Sequence, residues 1–360
     1  CMKKLSLALF LASCSTAALA SGTVNIYNWS DYIAEDTIAK FEASTGMKAN
    51  YDVFDTNELL EAKLLAGSSG YDVVVPTGNF LERQIQAGVF QKLDRSKLPN
   101  LVNMDADIMK IVTQHDPENA HSVVYMWGTT GLAYNQKKIA ERMASAPVNS
   151  WDMIFKPEVA SKFADCGIAI LESPSDMMAT AKNYLGIDPN SDSADDLKKA
   201  EALWNGVRQY VRYFHASQYI NDLANGDICI AVGYSGDLLQ SRDRAVEANN
   251  GVEISYVIPA EGAVVWFDLM AIPADAPNPE AAHAFINFVM DAQISADITN
   301  YVFYANANAA STSLIDPEVT ADPGIYPPAE VKPSLFALRA HSARYDRLLN
   351  RSWTSIKTGQ

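Results

Sequence analysis

Thr23-Val24-Asn25-Ile26-Tyr27-Asn28-Trp29-Ser30-Asp31 decides how this chain is read. Its first five residues alternate apolar and polar side chains, the period-two pattern of a strand. An aromatic ring, a hydroxyl and a carboxylate follow directly. Downstream, residues 34–44 place Ile38 and Phe41 at helical spacing and stop at Gly46. Residues 48–54 read as the next strand. Residues 57–66 put Leu60, Leu64 and Leu65 on one helical face, with Thr56 as the expected N-cap. Residues 71–75 form a largely apolar strand closed by Pro76, and a helix is expected over 80–87. This βαβαβα order predicts an α/β protein with a doubly wound sheet. Ligands of such sheets lie beyond the carboxyl ends of the strands, where both 29–31 and 77–79 fall.

A second α/β pattern follows. Residues 130–134, 166–170, 228–232, 254–258 and 264–272 read as strands. Residues 175–185, 197–214, 218–224 and 278–290 read as helices, and the Pro-rich stretch 323–328 as a surface loop. The pairing of ring and carboxylate recurs: Tyr234-Ser235-Gly236-Asp237 follows one strand, Trp266-Phe267-Asp268 lies in another, and Tyr304 follows Val302-Phe303. Trp266 and Asp268 share a face by strand alternation. Aromatic faces and carboxylates with no basic residue among them suit an organic cation.

The whole-chain composition is consistent with that. The 360 residues carry a formal charge of −15, which disfavours nucleic acid as a partner. An acidic chain that merely stays soluble would show the same charge. The length predicts two domains or one large one. Lys3 and Lys4, the apolar stretch 5–12 and Ala18-Leu19-Ala20 form a secretory leader over residues 1–20, too short in its apolar part to span a bilayer. Leu11-Ala12-Ser13-Cys14 offers a rival, lipid-anchored processing at Cys14. Export permits a disulfide between Cys166 and Cys229, with two buried thiols as the alternative.

The chain resembles the periplasmic polyamine-binding receptors of ABC importers. The resemblance is carried by 26–33, 51–55, Tyr213-Phe214-His215, 219–229 and 303–308, and runs from about 24 to 356. It implies a two-lobed type II binding protein, each lobe a doubly wound sheet, with the ligand cleft between lobes. One lobe would comprise 21–129 with 258–305 and the other 130–257 with 306–360, with crossings near 130, 257 and 305. By the same resemblance, Trp29, Tyr32, Tyr234, Trp266 and Tyr304 wall the ligand. Ser30, Asp31, Asp176, Asp237 and Asp268 meet its amines, and Thr77 and Asn79 line the cleft. The implied ligand is putrescine or spermidine, with no cofactor and no metal. The implied partners are the importer's membrane permease subunits, the receptor being a periplasmic monomer. Three positions depart from some relatives, which have Trp at 234, Glu at 176 and Phe at 266. The shorter Asp176 would reach an amine through water, and Trp266 alters the cleft's width.

Other readings exist for single residues. Asp31 could cap a helix, Asp237 could belong to a turn, and Asp176 could serve the helix dipole. Trp127, Trp151, Trp204 and Trp353 read as core. Gly233-Tyr234-Ser235-Gly236-Asp237 resembles a hydrolase nucleophile elbow, but Asp237 stands where its final glycine belongs, and none of the five histidines sits in a triad context. Histidine and cysteine spacings match no metal motif.

Overall fold

The computed structural model describes residues 22–359. The leader expected over 1–20, with Cys14, lies outside the described residues. Among the described residues eleven strands form: β1 Thr23–Trp29, β2 Lys48–Phe54, β3 Val73–Val74, β4 Ser122–Asn135, β5 Ile168–Leu171, β6 Val211–His215, β7 Ile230–Tyr234, β8 Ile254–Val257, β9 Ala263–Ala271, β10 Ala305–Asn306 and β11 Leu335–Ala337. Their main path is β2-β1-β3-β9-β4-β7-β5-β6.

The strand β4 explains how one path serves two halves. Its first part, through Thr129, pairs antiparallel with β9, and its second part, from Thr130, pairs antiparallel with β7 and β8. On one side β2, β1 and β3 run parallel; on the other β7, β5 and β6 do. Each half is therefore a parallel α/β core closed by antiparallel strands. Two large apolar clusters match this division. One holds Ile26, Phe41, Leu269 and Ile286; the other holds Trp151, Ile170, Trp204 and Trp353. Ala307 and Leu338 pack with the first cluster, and Leu239, Ala296, Ala305 and Ile325 form a third.

Local signals placed most elements. Thr56 accepts from the Leu59 N–H as N-cap of the helix Asn57–Leu65, as a threonine there should. The helix Pro279–Val289 buries Ala282, Phe285, Ile286 and Val289. Four expectations need correction. The first helix is Thr37–Thr45, starting three residues late. The helix expected over 197–214 is Ala194–Val207, and its tail is the strand β6, whose Val211, Tyr213 and Phe214 pair with β5. Residues 130–134 are only the second part of a 14-residue strand. Ile325, in the stretch read as a surface loop, is 2% exposed and belongs to the third cluster. Trp151, Trp204 and Trp353 are core as expected, while Trp127 is half-buried with its indole N–H on the Asn306 carbonyl. Cys166 and Cys229 form a disulfide with Cα atoms 5.5 Å apart, stapling the second half across 63 residues.

Candidate functional site

The cleft between the halves is built where strands end. Trp29 closes β1, and its indole N–H donates to the Val75 carbonyl at 2.9 Å, which fixes the ring over the end of β3. Tyr234 closes β7, and the helix Ser235–Ala248 starts at once, so Asp237 stands in that helix's first turn rather than in a free turn. Trp266 and Asp268 lie two residues apart on β9 and line the same cavity, as strand alternation requires. Tyr304 arrives differently from Tyr234. It follows a helix, Ala292–Val302, not a strand, and Phe303 in a left-handed conformation (φ 58°) turns the chain so that Tyr304 enters the cleft.

The aromatic walls touch. Tyr234 and Trp266 are 5.4 Å apart between ring centroids, Trp266 and Tyr304 are 5.4 Å apart, and Tyr32 and Tyr304 are 4.8 Å apart. Two glycines make room for them. A Cβ at Gly236 would lie 2.4 Å from the Tyr304 ring, and one at Gly128 would lie 2.8 Å from the Trp266 ring.

Each carboxylate is held by neutral hydroxyls. Tyr304 and Tyr219 each donate to one oxygen of Asp237 at 2.7 Å. Thr77 donates to Asp268 Oδ1 at 2.6 Å and Tyr32 to Oδ2 at 2.9 Å. The Asn57 amide donates to the Thr77 hydroxyl oxygen at 2.9 Å, which commits the Thr77 proton to Asp268. Asp237 and Asp268 are 8% and 4% exposed. Among the described residues neither forms an ion pair, and no Lys or Arg lines the cavity. Burial, only partly offset by those hydroxyls, pushes Asp268 up to about 7 and Asp237 up to about 6.

The cavity gathers Trp29, Ser30 and Tyr32 with Thr77, Tyr234 and Trp266, besides Asp237, Asp268 and Tyr304. Two expected residues sit one step away: Asn79 and Asp176 line an adjoining void that shares Thr77, Tyr234 and Trp266 with the first. Asp176 accepts from Thr130 at 2.8 Å and Ser173 at 2.6 Å, and burial raises its carboxyl. Asp31 is not among the lining residues. Its carboxylate is half-exposed and pairs with Arg244 at 3.0 Å across the cleft, and the N-cap position of the first helix is held by Asp36, not Asp31, without a side-chain capping bond. The sequence reading missed Asp55, which accepts from Ser30 at 2.6 Å, and Ser217 and Ile220 of the opposite wall. Asp55 stands just after β2, so the rule that ligands gather beyond strand ends could have found it.

Ser235 does not stand in a hydrolase arrangement. It is 1% exposed and its hydroxyl oxygen accepts from the Thr129 N–H. The histidine rings bond elsewhere: His115 to Glu82, His121 to Asp116, His215 to its own turn, His283 to Asp94 and His341 to Asp192. Among the described residues no His, Cys, Asp and Glu cluster could hold a metal ion, and no helix is long and apolar enough to cross a membrane.

A family profile described as bacterial extracellular solute-binding protein matches residues 36–327. The chain belongs to this family. The putrescine-binding periplasmic protein PotF of Escherichia coli (strain K12) is 52% identical over 355 residues, covering 98% of this chain and 96% of its own length. The putrescine-binding periplasmic protein SpuD of Pseudomonas aeruginosa is 51% identical over 362 residues, covering 99% and 98%. The solved structure of the spermidine/putrescine ABC transporter substrate-binding protein PotD from Streptococcus pneumoniae superposes with a TM-score of 0.75 at 25% identity, covering 94% of this chain and 99% of that one. The architecture is thus the two-lobed α/β fold of type II solute-binding proteins, with the cavity between the lobes.

Proposed function

We propose that this family member captures a polyamine, putrescine or spermidine, outside the cytoplasm and delivers it to the membrane permease subunits of an ABC importer. One observation carries the reading. Among the described residues Asp237 and Asp268 are buried carboxylates with no ion-pair partner, and they flank an aromatic box. An ammonium has three donors and no acceptor, so each carboxylate offers it a charge-assisted bond worth roughly 1.5–3 kcal/mol. Tyr234, Trp266 and Tyr304 offer their faces to the methylenes and to the cation. The putrescine-binding names of PotF and SpuD support the same ligand class. Monomeric action belongs to this proposal, as does closure of two lobes, 21–129 with 258–305 and 130–257 with 306–360. The proposed ligand contacts are Trp29, Ser30, Tyr32, Thr77, Tyr234, Asp237, Trp266, Asp268 and Tyr304, with Asn79 and Asp176 at the second void and Asp31 acting through closure. The buried Ser235 supports a binding role over hydrolysis.

Titration calorimetry against putrescine, cadaverine, spermidine and an acidic amino acid tests it. Micromolar or tighter binding of at least one diamine or polyamine, and none of the anion, is expected. Absence of heat with every amine would sink the proposal.

A further inference from the structure

Asn57 does not line the cavity that holds Asp237 and Asp268, yet its amide is locked onto a residue that does. It opens the helix Asn57–Leu65 directly after the cap Thr56. The Thr77 backbone N–H donates to the Asn57 side-chain oxygen at 3.1 Å. A backbone N–H can only donate, so the atom it meets is the oxygen and the orientation of the amide is fixed. The other end of the amide, its NH2 group, then donates to the Thr77 hydroxyl oxygen 2.9 Å away. Thr77 has a single hydroxyl proton, and the acceptor for it is Asp268 Oδ1 at 2.6 Å. The backbone holds this alignment: an antiparallel bridge joins Thr77 to Asp268, and the Leu269 N–H donates to the Pro76 carbonyl.

The direction of this chain of bonds bears on charge. As a carboxylate, Asp268 accepts from Thr77 at one oxygen and from Tyr32 at the other. A protonated Asp268 would bring its own proton to a contact where a hydroxyl already points one. At the Thr77 contact that form requires the Thr77 proton to turn away, and the Asn57 amide presents hydrogens in one of the directions it could turn. Without Asn57 the hydroxyl rotates freely, and the protonated form loses that disadvantage.

We propose that Asn57 is a positioning residue for amine capture: it orients the Thr77 hydroxyl so that Asp268 is kept as the carboxylate an ammonium requires. The inference rests on the polyamine reading of the cavity. Burial holds the Asp268 carboxyl up to about 7, so its charge is in balance near neutral pH. Tyr32, Tyr125 and Tyr234 surround it, and Asp176 and His115 line the adjoining void. Asp55 and Asp237 line the cavity itself. Among the described residues the Asn57 side chain bonds to Thr77 alone. Its neighbour Glu58 is also pushed up to about 7, chiefly by burial, so the test must separate the two carboxyls.

The experiment is calorimetric titration of the full-length mature protein with putrescine at pH 6 and pH 8.5, on wild type, Asn57→Ala, Thr77→Val and the double variant. Asn57→Ala should weaken putrescine at least about threefold at pH 6, because Asp268 then holds its proton more tightly. At pH 8.5 the carboxylate is ionised in both proteins, and the loss should be less than about twofold. In the Thr77→Val background the same change should alter affinity less than about twofold at either pH, since a residue acting through the hydroxyl has nothing left to orient. The loss at pH 6 should persist in a Glu58→Gln background. Equal weakening at both pH values, a full effect without the Thr77 hydroxyl, or disappearance of the loss with Glu58→Gln overturns the inference, while wild-type binding leaves the polyamine reading standing. Failure of wild type to bind putrescine overturns both. Asn57→Leu, of similar volume and equally unable to donate, gives the same test if Asn57→Ala does not fold.

Discussion

Asp268 and Asp237 are costly residues in an empty cleft. Burial raises both carboxyls, to about 7 and about 6, and among the described residues neither forms an ion pair that would offset it. A carboxyl that binds its proton more tightly in the folded chain favours folding most below its unfolded value near 4. That contribution is lost as pH rises toward 7, so the unliganded protein should lose stability over this window. Thermal unfolding from pH 4 to 8 checks the trend. A cationic ligand reverses the preference by favouring the charged carboxylates. Putrescine affinity should therefore rise from pH 5 to about 7.5 and then level off, with protons released on binding at pH 6. Calorimetry in two buffers of different ionisation enthalpy counts those protons; a flat affinity over this range would refute the coupling. Replacing either carboxylate, Asp268→Ala or Asp237→Ala, should weaken putrescine by about 2–5 kcal/mol, the usual penalty for stranding a buried charge. Direct titration of the purified variants reads this, and less than a few-fold change in both would remove them from the site.

At the scale of elements, the site depends on how strand ends and helix starts are juxtaposed. The Tyr304 ring lies against Gly236 in the first turn of the helix Ser235–Ala248, where a Cβ would stand 2.4 Å from it. Gly236→Ala should push that ring and its hydroxyl off Asp237 and weaken putrescine at least about tenfold, or 1.4 kcal/mol, while leaving the far-ultraviolet circular dichroism unchanged. The same helix runs in the lobe that the Cys166–Cys229 disulfide staples, next to β5 and β7. Closing a loop with a sequence separation of 63 contributes up to roughly 4 kcal/mol in the chain-entropy view. Cys166→Ser with Cys229→Ser should lower the denaturant midpoint by an amount of that order or less. An unmoved midpoint would show that the bond constrains the unfolded chain little. The pairing was one of two readings open to the sequence; proximity of the two thiols came from the strands beside them.

At the scale of the molecule, contacts between the halves hold the cleft as it stands. Arg244 of one half pairs with Asp31 of the other, and Gln240 donates to the Asp31 carbonyl beside it. Arg83 pairs with Asp346 on the C-terminal helix at 3.3 Å. The Asp31–Arg244 pair is part-exposed, so it is worth at most about 1 kcal/mol, and it should tune closure rather than dictate it. Arg244→Ala should weaken putrescine about two- to five-fold and enlarge the radius of gyration of the unliganded protein in small-angle scattering, with the liganded radius little changed. Identical scattering of variant and wild type without ligand would argue against a latch.

The sequence by itself determined the α/β class, most of the strands and about half of the helices, and the residue types gathered at strand ends, because periodicity, caps and turns act within a few residues; it did not give the helices Ser235–Ala248, Ala292–Val302 and Ala343–Thr358. It also pointed to the rings and to Asp237 and Asp268, since an aromatic and a carboxylate two or three residues apart must share a neighbourhood. It did not reveal that residues 211–215 leave the helix for a sheet edge, since Val211, Tyr213 and Phe214 gain their preference only from pairing with β5. Nor did it separate Asp31 from the other carboxylates. Arg244, which claims it, is 213 residues away. The hydroxyls that set the charge state of Asp268 come from residues 191 and 236 positions distant. Burial and partnership are properties of surfaces that meet only after folding, and they alone decide which acid is buried without a cation and which is already paired.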